Sequence, residues 1–104
     1  MNLRHKWYKV CMPDGKYFAV PMSTIINNRA TYYAHEFNNN VTKSIDEDTL
    51  PLFESDHYEI TDWAQNNMNW SDVKKYAVEI HADVGTTDYQ DGWVNGDYEI
   101  IESP

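Results

Sequence analysis

Four sets of side chains have types or spacings that could support chemistry. The first is the single cysteine, Cys11. A nucleophilic cysteine needs a lowered pKa and a histidine placed to take its proton. Cys11 falls inside a strand-like run without a flanking motif, and a lone strand cysteine ordinarily packs as a small hydrophobe. The second set is His5, His35, His57 and His81. No two share the His-x3-His spacing of a helical metal site, and His35-Glu36 lacks the second histidine of a zincin. His81 and Asp83 alternate along one strand and offer two ligands, so a metal-dependent enzyme stands as one alternative. The third set is Asp83, Asp88, Asp91-Gly92 and Asp97. Oxygen ligands are plentiful there, yet a calcium loop needs acids at alternate positions, and Gln90 and Gly92 interrupt them. The fourth is Glu59 and Asp62, neighbours at i, i+3 on a helix. A catalytic carboxylate pair needs burial to push its two pKa values apart, and these lie on a polar face. No glycine-rich phosphate loop or nucleophile elbow is present. The expectation is therefore a protein without enzymatic activity, cofactor or metal.

Charge carries more information. The chain holds 8 Lys+Arg against 17 Asp+Glu, a net charge of −9. Residues 1–45 carry six basic and two acidic side chains, while residues 46–104 carry two and fifteen. Asp46, Glu47, Asp48, Glu54, Asp56, Glu59 and Asp62 fall within seventeen residues that contain no Lys or Arg. Helix surfaces usually mix signs, because i,i+4 Glu–Lys pairs stabilise them and like pairs repel. An unmixed face of this kind repels nucleic acid, draws in a protein with a basic surface, and can imitate the charge of a phosphate backbone. Tyr58 stands among the acids as an interface anchor. These eight residues, Asp46 to Asp62 with Tyr58, form the expected partner contact. The alternative is a solvated face whose acids only cap helices and keep the chain soluble.

The elements that must position these groups follow from periodicity. Trp7–Met12 and Tyr17–Val20 read as strands joined by Pro13-Asp14-Gly15-Lys16, a β-hairpin. Met22, Ile25, Ile26, Ala30, Tyr33, Ala34 and Phe37 recur at helical steps, with Ser23 or Thr24 as cap and Asn38-Asn39-Asn40 as stop. Ser44-Ile45-Asp46-Glu47 reads as a capping box for a second helix, which Pro51 limits or kinks. A third helix starts at Ser55 or Asp56 with an apolar stripe of His57, Ile60, Trp63, Ala64 and Met68. Tyr58, Glu59 and Asp62 fall opposite, and Asn66-Asn67 ends it. Ser71-Asp72-Val73-Lys74 caps one further turn. Tyr76, Val78 and Ile80 alternate as a strand, and Asn95-Gly96 between apolar residues signals a second hairpin over 93–101. The expected fold is α+β, with a small antiparallel sheet built from the N-terminal hairpin and C-terminal strands, and helices packed on one face.

Length and composition agree. A chain of 104 residues with 41% hydrophobic and 14% aromatic residues fits one domain over residues 1–104. No apolar leader and no membrane-length run is evident, so a reducing cytoplasm is the expected compartment. Trp7-Tyr8-Lys9-Val10 with Pro13-Asp14-Gly15, Val20-Pro21 with Asn28-Arg29-Ala30 and Tyr32-Tyr33-Ala34, and Asp62-Trp63-Ala64 with Asn67-Met68-Asn69-Trp70-Ser71-Asp72-Val73 resemble small proteins of bacteriophages and prophages. The resemblance implies a phage or mobile-element origin, with Trp63 and Trp70 anchoring the helices to the sheet, and no active site. The functional expectation is a non-enzymatic accessory protein that binds a protein partner stoichiometrically. The alternative is an assembly module, a homodimer whose cue is the rings of Tyr8, Tyr17, Tyr32, Trp93 and Tyr98 near sheet edges.

Overall fold

The computed structural model describes residues 3–13, 16–81, 93–94 and 96–103. Strands β1 (Trp7–Cys11) and β2 (Tyr17–Pro21) form the expected hairpin, with Cys11 opposite Tyr17 and Trp7 opposite Pro21. Asp14 and Gly15, the centre of its turn, lie outside the described residues. Alternation sends Tyr8 and Val10 into the core, while Lys9 and Cys11 take the other face.

Helix α1 (Met22–Tyr33) follows β2 directly and continues as a 3-10 turn, Ala34–Phe37. Its apolar stripe is buried as the spacing requires: Met22, Ile25, Ile26 and Ala30 are in the core. Ser23 and Thr24 do not cap it. The N-cap is Pro21, and the Met22 N–H is satisfied instead by the carbonyl of Lys6 at 3.0 Å. The chain leaves the strand straight into the helix, so a neighbouring backbone carbonyl does the work of a side-chain cap. The asparagine triplet stops the helix as expected. Asn38 and Asn39 adopt φ of 55° and 62°, a left-handed conformation that asparagine tolerates.

The next helical segment starts four residues earlier than a Ser44 cap would allow. Helix α2 (Val41–Ser44) is capped by Asn40, whose Oδ1 accepts from the Lys43 N–H at 3.0 Å. Ser44 is helical and buried, so the Ser44–Glu47 capping box does not form. Asn40 is the first extended residue after the left-handed pair, and the extended backbone is the geometry a cap needs. A single π-turn, Ile45–Thr49, links α2 to α3 (Leu50–Ser55). It is closed by the Leu50 N–H on the Ile45 carbonyl. Pro51, which has no N–H to donate, sits in the first turn of α3, where that donor is dispensable. The helical path therefore passes through Pro51 with a widened turn ahead of it. Asp46, Glu47 and Asp48 lie on this π-turn rather than at a helix N-terminus.

Helix α4 (Tyr58–Asn67) buries Ile60, Thr61, Trp63 and Ala64, with Met68 just beyond. His57 is exposed, because the helix begins after it. Helix α5 (Trp70–Val73) is capped by Asn69 and Asp72, not by Ser71; the Asn69 N–H donates to Asp72 Oδ2 at 2.8 Å.

Strands β3 (Val78–His81) and β4 (Tyr98–Ile101) complete a four-stranded antiparallel sheet of order β3-β2-β1-β4. The fold is α+β. Tyr76 lies in a turn before β3. Asn95, the first residue of the expected Asn-Gly turn, lies outside the described residues. Trp93 and Val94 are helical, and β4 pairs with β1, Trp7 facing Ile101. Burial decides this. Trp93 is fully buried, its indole donating to the Ala64 carbonyl at 2.7 Å, which holds residues 93 and 94 against α4 rather than in a strand. The ring also packs against Tyr8 and Trp70, with centroids 5.2 and 6.4 Å away. Two of the five rings expected near sheet edges, Tyr8 and Trp93, are thus core residues. Of the two anchoring tryptophans, Trp70 meets the sheet through Phe18 at 5.2 Å, whereas Trp63 joins α4 to α1. No helix among the described residues is long and apolar enough to cross a membrane.

Candidate functional site

The acidic segment divides into two groups. On the π-turn, Asp46 and Glu47 are exposed and Asp48 is half-buried. Cations meet two of them, one from a distant helix and one from the preceding turn. Arg29 of α1 contacts Asp48 at 3.0 Å, and Lys43 of α2 faces Glu47 at 3.9 Å. The first link is the firmer one, because Arg29 also donates to Thr49 Oγ1 at 2.9 Å and lies over the Tyr33 ring. The second joins two half-exposed side chains and contributes little.

The other group occupies the corner between α3 and α4. Phe53 and Ile60, both fully buried, hold the corner from beneath. Glu54 ends α3 on the outside, beside Ser55, whose hydroxyl donates to the Leu52 carbonyl at 2.9 Å. Asp56 is extended and its Oδ1 accepts from the Tyr58 N–H at 3.0 Å, which starts α4. Glu59 lies in the first turn, where the helix dipole favours a negative charge. Asp62, one turn on, accepts from Asn66 at 2.9 Å. None of Glu54, Asp56, Glu59 and Asp62 has an ion-pair partner among the described residues. Tyr58 stands among them with 64% of its surface exposed. Glu54 and Asp56 are exposed and Glu59 and Asp62 half-buried, so the corner offers two open carboxylates, two partly covered ones and one ring to a cationic surface.

The nucleophile and metal candidates find less. Cys11 is half-buried on the sheet face opposite Tyr8 and Val10, not sunk in the core, and its thiol contacts the Met12 carbonyl at 3.6 Å and the neighbouring Tyr17 hydroxyl. That contact with Cys11 raises the Tyr17 pKa. Among the described residues, no three His, Cys, Asp or Glu side chains converge as a metal site. Asp83, Asp88 and Asp91 lie outside the described residues.

One further feature is built from residues that lie far apart in the sequence. An open groove of about 780 Å³ runs between α1 and the α4–α5 side of the molecule. Asn27, Asn28 and Tyr32 line one wall, and Trp63, Asn67 and Tyr76 line the other. The uncharged polar outer face of α1 is the signal that could have marked it. No family model matches the chain, and neither a curated protein nor a solved structure matches it.

Proposed function

We propose that this chain is a non-enzymatic accessory protein of the phage or prophage type that binds a protein partner with a basic surface. The α3–α4 corner makes the contact, and its carboxylates stand in for nucleic-acid phosphates. The observation that supports this is the exposed Tyr58 ring set among Glu54, Asp56, Glu59 and Asp62, which have no cation of their own among the described residues. Interface hot spots pair an aromatic anchor with charges that set approach and register. Asp46 and Glu47 extend the negative field on one side.

The test is affinity capture from bacterial lysate with the native chain and with an E54Q/D56N/E59Q/D62N variant. Asparagine at position 56 keeps the cap of α4, so the variant should fold. The native chain recovers a partner that duplex DNA displaces, and the variant does not. Equal recovery of that partner by both forms contradicts the proposal.

A second reading has one observation in its favour. Val78 and Ile80, on the outermost strand β3, are 43% and 38% exposed. Edge strands with exposed apolar side chains pair readily with a second copy. Light scattering over a concentration series tests this homodimer reading, and a constant monomer mass would end it.

A further inference from the structure

The groove between α1 and α4 differs in chemistry from the acidic corner and is independent of it. Its volume of about 780 Å³ lies within the range of small-molecule sites. Its floor is rigid. The Trp63 indole is fixed by donation to Asn28 Oδ1 at 2.9 Å and by edge contact with Tyr32, 5.6 Å between centroids. Above that floor, Tyr32 and Tyr76 flank the groove with 64% and 48% of their surfaces exposed. Two open rings on one groove give a ligand two stacking faces.

The polar lining selects among ligands. Asn27 on α1 and Asn67 on α4 offer planar amides from opposite walls, and Thr31 adds a hydroxyl. None of these three side chains has a hydrogen-bond partner among the described residues. Asp72 and Lys75 are its two charged members, of opposite sign, so the lining carries no net charge. Asp72 accepts from the Asn69 N–H at 2.8 Å, and the Lys75 ammonium lies over the Tyr76 ring at 5.0 Å. The groove thus offers neutral donors and acceptors, inside a molecule of net charge −9 that repels anions. Its walls are mainly helices α1 and α4 with the turn that carries Tyr76, whose N–H is paired to the Val73 carbonyl, so an extended peptide finds little strand edge to join. A lipid chain finds too many amides.

We propose that this groove binds a neutral saccharide. The apolar C–H face of a sugar ring stacks on Tyr32 and on the Tyr76 face that Lys75 leaves open, and paired ring hydroxyls meet the amides of Asn27 and Asn67, each of which both donates and accepts.

The probes are three neutral hexasaccharides (of glucose in α1,4 linkage, glucose in β1,4 linkage, and N-acetylglucosamine in β1,4 linkage), titrated at millimolar concentration into the native chain. Nitrogen–proton correlation spectra report on the Trp63 indole and the Asn27 and Asn67 side-chain amides. At least one probe shifts these signals in a saturable way. A Y32A/Y76A variant binds that probe about tenfold more weakly. N67D, which leaves both rings in place, weakens it as well. A circular dichroism melt confirms that each variant is folded. The proposal is overturned if no probe shifts the Trp63 indole, or if the folded variants bind as the native chain does. It is equally overturned if an uncharged asparagine-rich peptide saturates the groove where all three saccharides fail.

Discussion

The Arg29 guanidinium on α1 donates to the Asp48 carboxylate on the π-turn at 3.0 Å, across nineteen residues of sequence. The same nitrogen reaches Thr49 Oγ1 at 2.9 Å, and the guanidinium carbon lies 4.7 Å from the Tyr33 ring centroid and 6.0 Å from that of Phe53. One side chain thus ties α1 to the irregular turn that leads into the acidic corner. Asp48 is an acid of the acidic run that the fold uses for itself.

Replacing Arg29 should therefore loosen the path to the corner. R29A strands a half-buried carboxylate and the Thr49 hydroxyl, and should cost about 2–3 kcal/mol. R29K keeps the charge but cannot make both contacts and stack on Tyr33, so it should recover only part of that loss. D48N should cost less than R29A, because an amide can still accept from the guanidinium. Urea denaturation of the three variants checks the order, and an R29K as stable as the native chain would show that charge alone matters.

Tyr8 predicts an alkaline limit. It is fully buried, and its hydroxyl lies toward Thr61 without completing a hydrogen bond of good geometry. Burial pushes its pKa up to about 12 from the usual 10.0, with nearby Tyr98 adding to the rise and Thr61 opposing it. A raised folded-state pKa means that the unfolded chain loses its proton first. The stability tied to Tyr8 is therefore whole below pH 10 and falls as pH climbs toward 12, by about 3 kcal/mol over the interval. Y8F should remove this slope. At neutral pH it should be neutral or slightly stabilising, since it deletes a buried hydroxyl that lacks a partner. Denaturation midpoints at neutral and alkaline pH separate the two effects.

Trp93 closes the end of α4. Its indole donates at 2.7 Å to Ala64, one of the last four carbonyls of that helix, which have no partner within it. W93F keeps most of the ring volume but leaves the carbonyl unpaired, at a cost of about 1–3 kcal/mol. W93A adds a cavity among Tyr8 and Trp70 and should cost about 3–5 kcal/mol. Thermal unfolding of both variants checks these values, and a W93F indistinguishable from the native chain would remove the hydrogen bond from the account.

What the sequence made legible were the features with local causes. The hairpin strands, the apolar stripe of α1 and the left-handed asparagines each follow from a few neighbouring residues. Features decided by distant partners were not legible. Trp93 and Val94 read as strand in sequence, yet burial of Trp93 against α4 makes them helical. Ser44 and Glu47 fit a capping box in sequence, but Asn40 takes the cap first. The acidic run looks unmixed along the chain, and only the fold brings Arg29 to Asp48, whereas Lys43 meets Glu47 at ordinary i, i+4 spacing. The groove was invisible because its walls come from separate helices, and no single stretch carries its pattern of amides and rings.

The proposed contact at the α3–α4 corner is tested most directly by backbone amide hydrogen exchange on the complex with the captured partner. Slowed exchange should concentrate in residues 54–62, around Glu54, Asp56, Tyr58, Glu59 and Asp62, and should vanish as salt concentration rises. Slowed exchange confined to the groove or to the β3 edge, with residues 54–62 unchanged, would contradict the assignment.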